Sequence, residues 1–367
     1  MIVNTIIAVI SLTKVLADVE HVLIFLALLS VLIIFHEFGH FVFAKRAGVR
    51  VTDFALGFGP TLFAVRRGDT TYRVNALPLG GYCKMAGEDT ADDGSTDPGN
   101  FQHKSIWARL VIIAAGPIFN IILAVLIFAY IGVVFGVPTG NTNVVETVLA
   151  GSPAQKAGLA PGDRIVALDG KRVNNGADMI DYIHQHANKI VAVDVEHNGV
   201  VRHLRIQARS VANGNRQEGQ FGFAPVRTVV HQPVLVALGY GFRAVGETIV
   251  LQFTGITGAI RNHDASVING PVGIARAVIS AEAYGPTVLL TLAATLSVVL
   301  GVINLLPFPA LDGGRIAFLL VELVRGRPID PEKEGLVHLT GFALLMVLVL
   351  FVTYHDILQW VSGRGGF

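Results

Sequence analysis

Residues 36 to 40 read His-Glu-Phe-Gly-His. On a helix, residues four apart share a face, so His36 and His40 would project side by side with Glu37 next to them. Two imidazoles at that spacing can hold one zinc ion while the glutamate reaches a metal-bound water, which is the chemistry of metal-assisted hydrolysis. The motif lies in an apolar stretch, about 21–44, long enough to cross a bilayer. Burying two histidines and a carboxylate there is costly unless a cation or partner balances them, so their presence points to a function. The bland alternative is a pair of interior histidines bonded to neighbouring helices, with Glu37 facing a cation.

A catalytic zinc takes three protein ligands and leaves one position open, so a third ligand is needed. Cys83 is the single cysteine, which excludes a cysteine cluster and an internal disulfide. The best candidate is Asp312, in the run Asn304-Leu305-Leu306-Pro307-Phe308-Pro309-Ala310-Leu311-Asp312-Gly313-Gly314. Pro307 and Pro309 break the helix and free carbonyls, which is tolerated at membrane depth only inside protein or beside a wet cavity. Taken by itself, Asp312 also suits the N-cap of a helix beginning near Gly313.

The elements that must position these residues follow from composition and patterning. Hydrophobic residues make up 52% of the 367, charged residues 15%, and mean hydropathy is +0.58, which does not suit a water-soluble chain. A net charge of +1 and the lack of a basic, aromatic-rich stretch speak against nucleic-acid binding. The charges Lys14, Asp18 and Glu20 follow the first apolar run, the wrong order for a cleaved signal peptide.

Four segments, about 21–44, 110–136, 287–308 and 336–360, are long and apolar enough to span. A fifth, about 233–260, is interrupted by glycines, Arg243 and Glu247 and reads as amphipathic helix at the interface. Lys45, Arg46, Arg50, Lys104 and Arg109 fall between the first two spans, and Arg315, Arg325, Arg327 and Lys333 between the last two. The positive-inside rule makes both loops cytoplasmic and puts both termini and the 137–286 region outside. Around Arg66-Arg67-Gly68-Asp69, residues 54–83 alternate as a β-hairpin, either cytosolic or dipping toward the active site with an edge free for an extended substrate. Residues 88–99 read as an acidic surface loop.

The expected fold is a polytopic α-helical membrane protein with four transmembrane helices, a membrane-associated β-hairpin and one α+β extracytoplasmic domain. Its parts are a membrane core of 1–136, the extracytoplasmic domain of 137–228, an interfacial linker of 229–286, and a second membrane core of 287–367. Within the extracytoplasmic domain, Val144 to Val148 reads as a strand and Ser152-Pro153 starts a short helix that Gly158 ends. A strand over Arg164 to Leu168, a helix over Ala177 to Ala187, and strands at 189–197 and 200–208 joined by Asn198-Gly199 follow. His184, His186 and His197 read as surface residues.

The motif His36-Glu37…His40, taken with Asn304…Pro307…Asp312-Gly313, resembles the site-2 protease family of intramembrane zinc metalloproteases. A domain between spans two and three narrows the resemblance to the bacterial RseP-type group. Gly80-Gly81-Tyr82, Gly116-Pro117…Asn120 and Gly270-Pro271-Val272-Gly273 also match. The resemblance implies zinc on His36, His40 and Asp312, Glu37 as catalytic acid and base, and a hairpin that re-enters the membrane to align substrate. It implies that Asn304 contacts substrate or the oxyanion; an interhelical hydrogen bond is the other reading of that residue.

Implied substrates are single-span proteins of a bacterial inner membrane, such as anti-sigma factors already trimmed by another protease, cut toward the cytoplasmic side. Residues 140–228, with Ser152-Pro153-Ala154…Gly158-Leu159…Gly162-Asp163, resemble one PDZ domain, a fold that binds peptide tails by strand addition; a passive spacer is the alternative. Two readings from other classes remain: a membrane scaffold with a purely structural metal, and a metal transporter using the same His and Asp residues.

Overall fold

The computed structural model describes residues 2–88, 97–213, 216–262, 270–327 and 329–361. Most of the acidic stretch at 88–99 therefore lies outside the described residues. The chain divides into two compact units, Met1–Ile131 with Val234–Phe367, and Gly132–Pro233.

The first unit opens with α1 (Ile2–Arg46), then two long strands, β1 (Val51–Arg67) and β2 (Thr70–Met85), and α2 (Ile106–Val134). Glycine decides how closely α1 and α2 approach. A Cβ on Gly39 would run into the Ala115 carbonyl of α2, and a Cβ on Gly116 would run into the His40 ring. Between apolar helices in lipid there is no hydrophobic drive to associate, so small residues that let backbones touch supply the attraction.

β1 and β2 pair antiparallel with a doubled register. Asp53 to Leu56 face Gly81 to Lys84 and also Thr71 to Val74, while Thr61 to Arg67 pair with Thr70 to Asn75. The expected simple hairpin is thus folded back on itself. The reversal uses Gly57, Gly59 and Gly80, all at positive φ, where an L side chain is strained. Sequence alternation gives each short pairing but not this layering, because period two is the same for a hairpin and for a folded-back one.

The second unit contains β3 (Val137–Val148), α3 (Pro153–Lys156), β4 (Arg164–Leu168), β5 (Lys171–Arg172), α4 (Gly176–Gln185), β6 (Ile190–His197), β7 (Val200–Gln207), β8 (Arg209–Asn213), β9 (Arg216–Gln220) and β10 (Phe223–Val230). Its main sheet runs β10-β3-β4-β6-β7 with β5 beside β4. Alternating Val191, Val193 and Val195 pack with Ile165, Leu168, Met179, Ile206 and Phe221 into one buried core. Ser152 caps α3 by accepting from Gln155 N–H, and Asn198 and Gly199 turn the β6–β7 hairpin at positive φ. Asp163, fully buried, accepts from the Arg202 guanidinium and the Ala160 N–H, so its charge is balanced.

The chain then re-enters the first unit as α5 (Val234–Asn262), α6 (Pro271–Ala283), α7 (Pro286–Leu305), α8 (Asp312–Arg325) and α9 (Pro331–Val361). Five helices among the described residues are long and apolar enough to cross a membrane: Val19–Arg46, Ile106–Val134, Val234–Gly258, Pro286–Leu305 and Glu332–Leu358. Each of the four expected spans overlaps one of them, three running two or three residues past its C-terminal end. The fifth, expected as amphipathic helix interrupted by glycines, Arg243 and Glu247, is indeed a helix and runs without interruption. Its glycines do not interrupt it; Gly241 instead lets α5 sit against the Val125 carbonyl of α2. A Gly39→Val variant should separate α1 from α2 at a cost of roughly 1–3 kcal/mol. Thermal unfolding of the detergent-solubilised protein would show a lowered midpoint.

Candidate metal centre

The HExxH run lies wholly within α1, so His36 and His40 stand one turn apart, both buried. Asp312 opens α8, immediately after the proline break. Its Oδ2 lies 3.0 Å from His36 Nε2 and 3.5 Å from His40 Nε2, and the two Nε2 atoms are 3.2 Å apart. The three side chains expected to converge do so.

Several features fit a metal ion. The Asp312 Oδ2 atom is buried and accepts no hydrogen bond, although two rings stand beside it. The ring nitrogen His40 Nδ1 lies 2.9 Å from the Ile112 carbonyl, which can only accept, so Nδ1 carries the hydrogen and Nε2 turns its lone pair inward. The donor set of two imidazoles and a carboxylate suits zinc, and Gly116 leaves space where any side chain would fill the cradle. The N-cap reading of Asp312 is not what the fold adopts. Leu311 occupies the cap of α8 with no side-chain bond, and the Asp312 carboxyl turns to the imidazoles instead.

Glu37 faces the β1–β2 sheet. A Cβ on Gly81 would lie 3.6 Å from Glu37 Cγ and 2.8 Å from the Ala55 carbonyl, so the strand lies close over the glutamate because residue 81 has no side chain. Ser30 ties the same end of the sheet to α1 by donating to the Pro78 carbonyl. Asn304 stands apart from this group: its amide nitrogen donates to Leu300, back along its own helix.

Residues 24–348 match the sequence profile of peptidase family M50. This chain belongs to peptidase family M50, the site-2 proteases. Zinc metalloprotease RasP of Bacillus licheniformis is 31% identical over 92% of this chain and 98% of its own length. The Bacillus subtilis regulator of sigma-W protease RasP is also 31% identical, with the same coverage of each chain. Among solved structures, the PDZ domain of the SdrC-like protein of Listeria monocytogenes is 24% identical, with a TM-score of 0.21, over 24% of this chain and 90% of that one. The expected multi-pass membrane peptidase is thereby borne out.

Three contacts around the M50 centre had no counterpart in the sequence reading. The first is a clamp on the Asp312 loop. The Ala310 N–H donates to His338 Nδ1 of α9 at 2.9 Å, and Gly341 of the same helix leaves room for Pro309. The second is a largely buried ion pair joining the start of α2 to α8, with Arg109 Nη1 3.2 Å from Glu322 Oε2. The third is Arg315 of α8 on Glu88, which follows β2. A positive charge followed by a distant negative one is a common surface pattern, so nothing in the sequence marks these as partners.

Cys83 lies nearby but takes no part. Burial, with Glu37 and Glu88 adding to it, pushes its thiol well above the ordinary range, so it stays a neutral apolar filler. Glu322→Leu should leave Arg109 as an uncompensated buried charge and destabilise the M50 fold by about 3–5 kcal/mol. The double variant with Arg109→Leu should recover most of that loss. Denaturant midpoints of both single variants and of the double variant measure it; losses that simply add would mean that the pair is not coupled.

Proposed function

We propose that this peptidase is a zinc metalloprotease that cuts peptide bonds within, or at the edge of, membrane-spanning segments of single-span proteins. His36, His40 and Asp312 would hold the ion and Glu37 would move the proton. The observation that carries this reading is the meeting of three ligand atoms from two distant stretches, within 4.8 Å of one another. Among the described residues no fourth His, Cys, Asp or Glu joins them, which favours an open catalytic position over a closed structural site.

Zinc bound there would lower the pKa of a water toward neutrality and polarise a carbonyl. Glu37, beside both histidines on α1, takes the proton from the attacking water and returns it to the leaving amine nitrogen. Asn304 is assigned to the oxyanion or to substrate, and would have to give up its bond to Leu300 to act. A substrate helix hides its carbonyls in i to i−4 bonds, so it must unwind, and the sheet edge over Glu37 offers replacement backbone partners.

Four spans, with both termini outside and the centre toward the cytoplasm, are supported by the way the helices meet. α1 bonds to the end of α6 through His21 and Glu282 near one membrane face, and meets Asp312 at the other. α7 starts just after α6 and ends just before Asp312, so it runs parallel to α1. α5 begins two residues after Gln232, whose N–H donates to the Gly132 carbonyl near the outer end of α2, and leads into α6 at that same face. Both ends of α5 are then on one side, which favours an interfacial helix whatever its length. The basic residues at 45–50, 104–109 and 315–333 collect at the other side, the cytoplasmic one by the positive-inside rule.

The second unit is assigned as one PDZ-like domain that binds peptide tails outside the membrane. The Bacillus subtilis relative's description as a regulator of sigma-W protease favours membrane-bound sigma regulators as substrates, in a bacterial inner membrane.

Glu37→Gln should keep about one zinc per chain and lose cleavage of a purified single-span substrate by about a hundredfold or more. Undiminished cleavage would remove Glu37 from the chemistry. Asp312→Ala should hold zinc more weakly in the same preparation, and full retention would refute its role as ligand. Gly81→Val should keep zinc yet cut poorly, because the sheet is pushed off Glu37.

A further inference from the structure

The two histidines differ in what stands behind them. His40 has the Ile112 carbonyl, an acceptor. His36 has the side-chain amide of Asn120, whose nitrogen lies 3.4 Å from His36 Nδ1. With the nitrogen on that side, Asn120 donates to Nδ1, and a neutral His36 must carry its own hydrogen on Nε2. That hydrogen would then point into the space shared with Asp312 Oδ2 and His40 Nε2. Meanwhile Asn120 Oδ1 is buried without a partner. The oxygen and nitrogen of an asparagine amide are nearly identical in shape, so the hydrogen-bond partners decide which way it faces.

We propose that Asn120 is a positioning residue for the metal centre: it turns Oδ1 to His36, accepts the Nδ1 hydrogen, and fixes the ring with its Nε2 lone pair inward. Metal-bound histidines almost always donate their other ring N–H to an acceptor, and no other acceptor for His36 Nδ1 is seen among the described residues. The amide is well held for this task. Asn120 is fully buried, Ser297 of α7 donates to its backbone carbonyl at 2.8 Å, and Gly301 lets α7 touch the Pro117 carbonyl one turn earlier. A polar side chain fixed in this way inside an apolar three-helix contact serves the one polar group it faces.

This inference rests on the zinc reading above, and its test separates the two. Zinc affinity is measured by chelator competition on the full-length protein in detergent, for the unmodified chain, His36→Ala, Asn120→Leu and Asn120→Asp. Asn120→Leu, of similar volume but without an acceptor, should bind zinc about 10–100-fold more weakly. Asn120→Asp, which presents an oxygen in either orientation, should bind at least as tightly as the unmodified chain. If the leucine variant keeps its affinity, or the aspartate variant loses zinc as the leucine one does, the positioning role is overturned while the metal site stands. If the unmodified chain binds no more zinc than His36→Ala, the metal site itself falls and the positioning role with it. Should the leucine variant not fold, the aspartate variant decides alone, because an amide needed as donor cannot be replaced by a carboxylate.

Discussion

Two imidazoles and two carboxylates gathered among apolar helices cannot be left to themselves, and the first unit is arranged around that constraint. Each ionisable group is costly at this depth unless it has a partner of opposite character. Asp312 brings a charge to His36 and His40, and the Ile112 carbonyl and the Asn120 amide occupy the far sides of the two rings. The glycines follow from the same need. Gly39, Gly116 and Gly301 bring α1, α2 and α7 into backbone contact, and only at that separation can an α2 carbonyl reach a ring on α1.

Asp312 comes from more than 270 residues away, so its arrival depends on how its loop is held. α7 stops at Leu305, Pro307 and Pro309 lack N–H groups, and Ala310 sits at a positive φ unusual for a residue with a side chain. Such a backbone persists only if its surroundings over-determine it. His338 accepts from the Ala310 N–H, and Gly313 and Gly314 let the first turn of α8 fold against the Leu306 and Phe308 carbonyls. Arg109 and Glu322 then hold the other end of α8 to α2. The helix that carries Asp312 is therefore held at both ends, and small shifts of α8 would move its carboxylate relative to the two rings.

Much of the centre was legible in the sequence, for a physical reason. An HExxH pair in a spanning segment and an aspartate after a proline break are each improbable on apolar backgrounds, so spacing and burial select the same three residues that meet in space. The spans were legible because hydropathy integrates over twenty residues. In the second unit, Ser152-Pro153 and Asn198-Gly199 announced a cap and a turn that do form. The misses share a cause as well. The helix over 234–262 was read, but not the role of its glycines: Gly241 serves as a contact point for α2, a role that only the tertiary fold gives it. β5, β8 and β9 are short and largely polar, and β10, though eight residues long, carries Pro225 and Arg227, so little alternation remains for a pattern to detect. The partners Arg109 and Glu322, or Ala310 and His338, meet only through the tertiary fold, which no local spacing encodes.

The folded-back sheet follows from where it lies. A lone two-stranded hairpin is marginal and leaves both of its edges open. By laying Asp53 to Leu56 between Gly81 to Lys84 and Thr71 to Val74, the chain covers its inner segments on both sides and leaves only the outermost ones as edges. Leu62, Phe63 and Leu77 are exposed, so this sheet offers an apolar face, which suits contact with lipid or with an apolar peptide better than with water. One remaining edge, at Gly81 to Lys84, is the segment that stands over Glu37. A peptide stretched along that edge would have its backbone ordered by the same strand whose missing side chain exposes the glutamate. Under the proposed function, unwinding a helix and presenting a carbonyl to the centre would become a single step, because the bonds lost along the helix would be replaced beside Glu37.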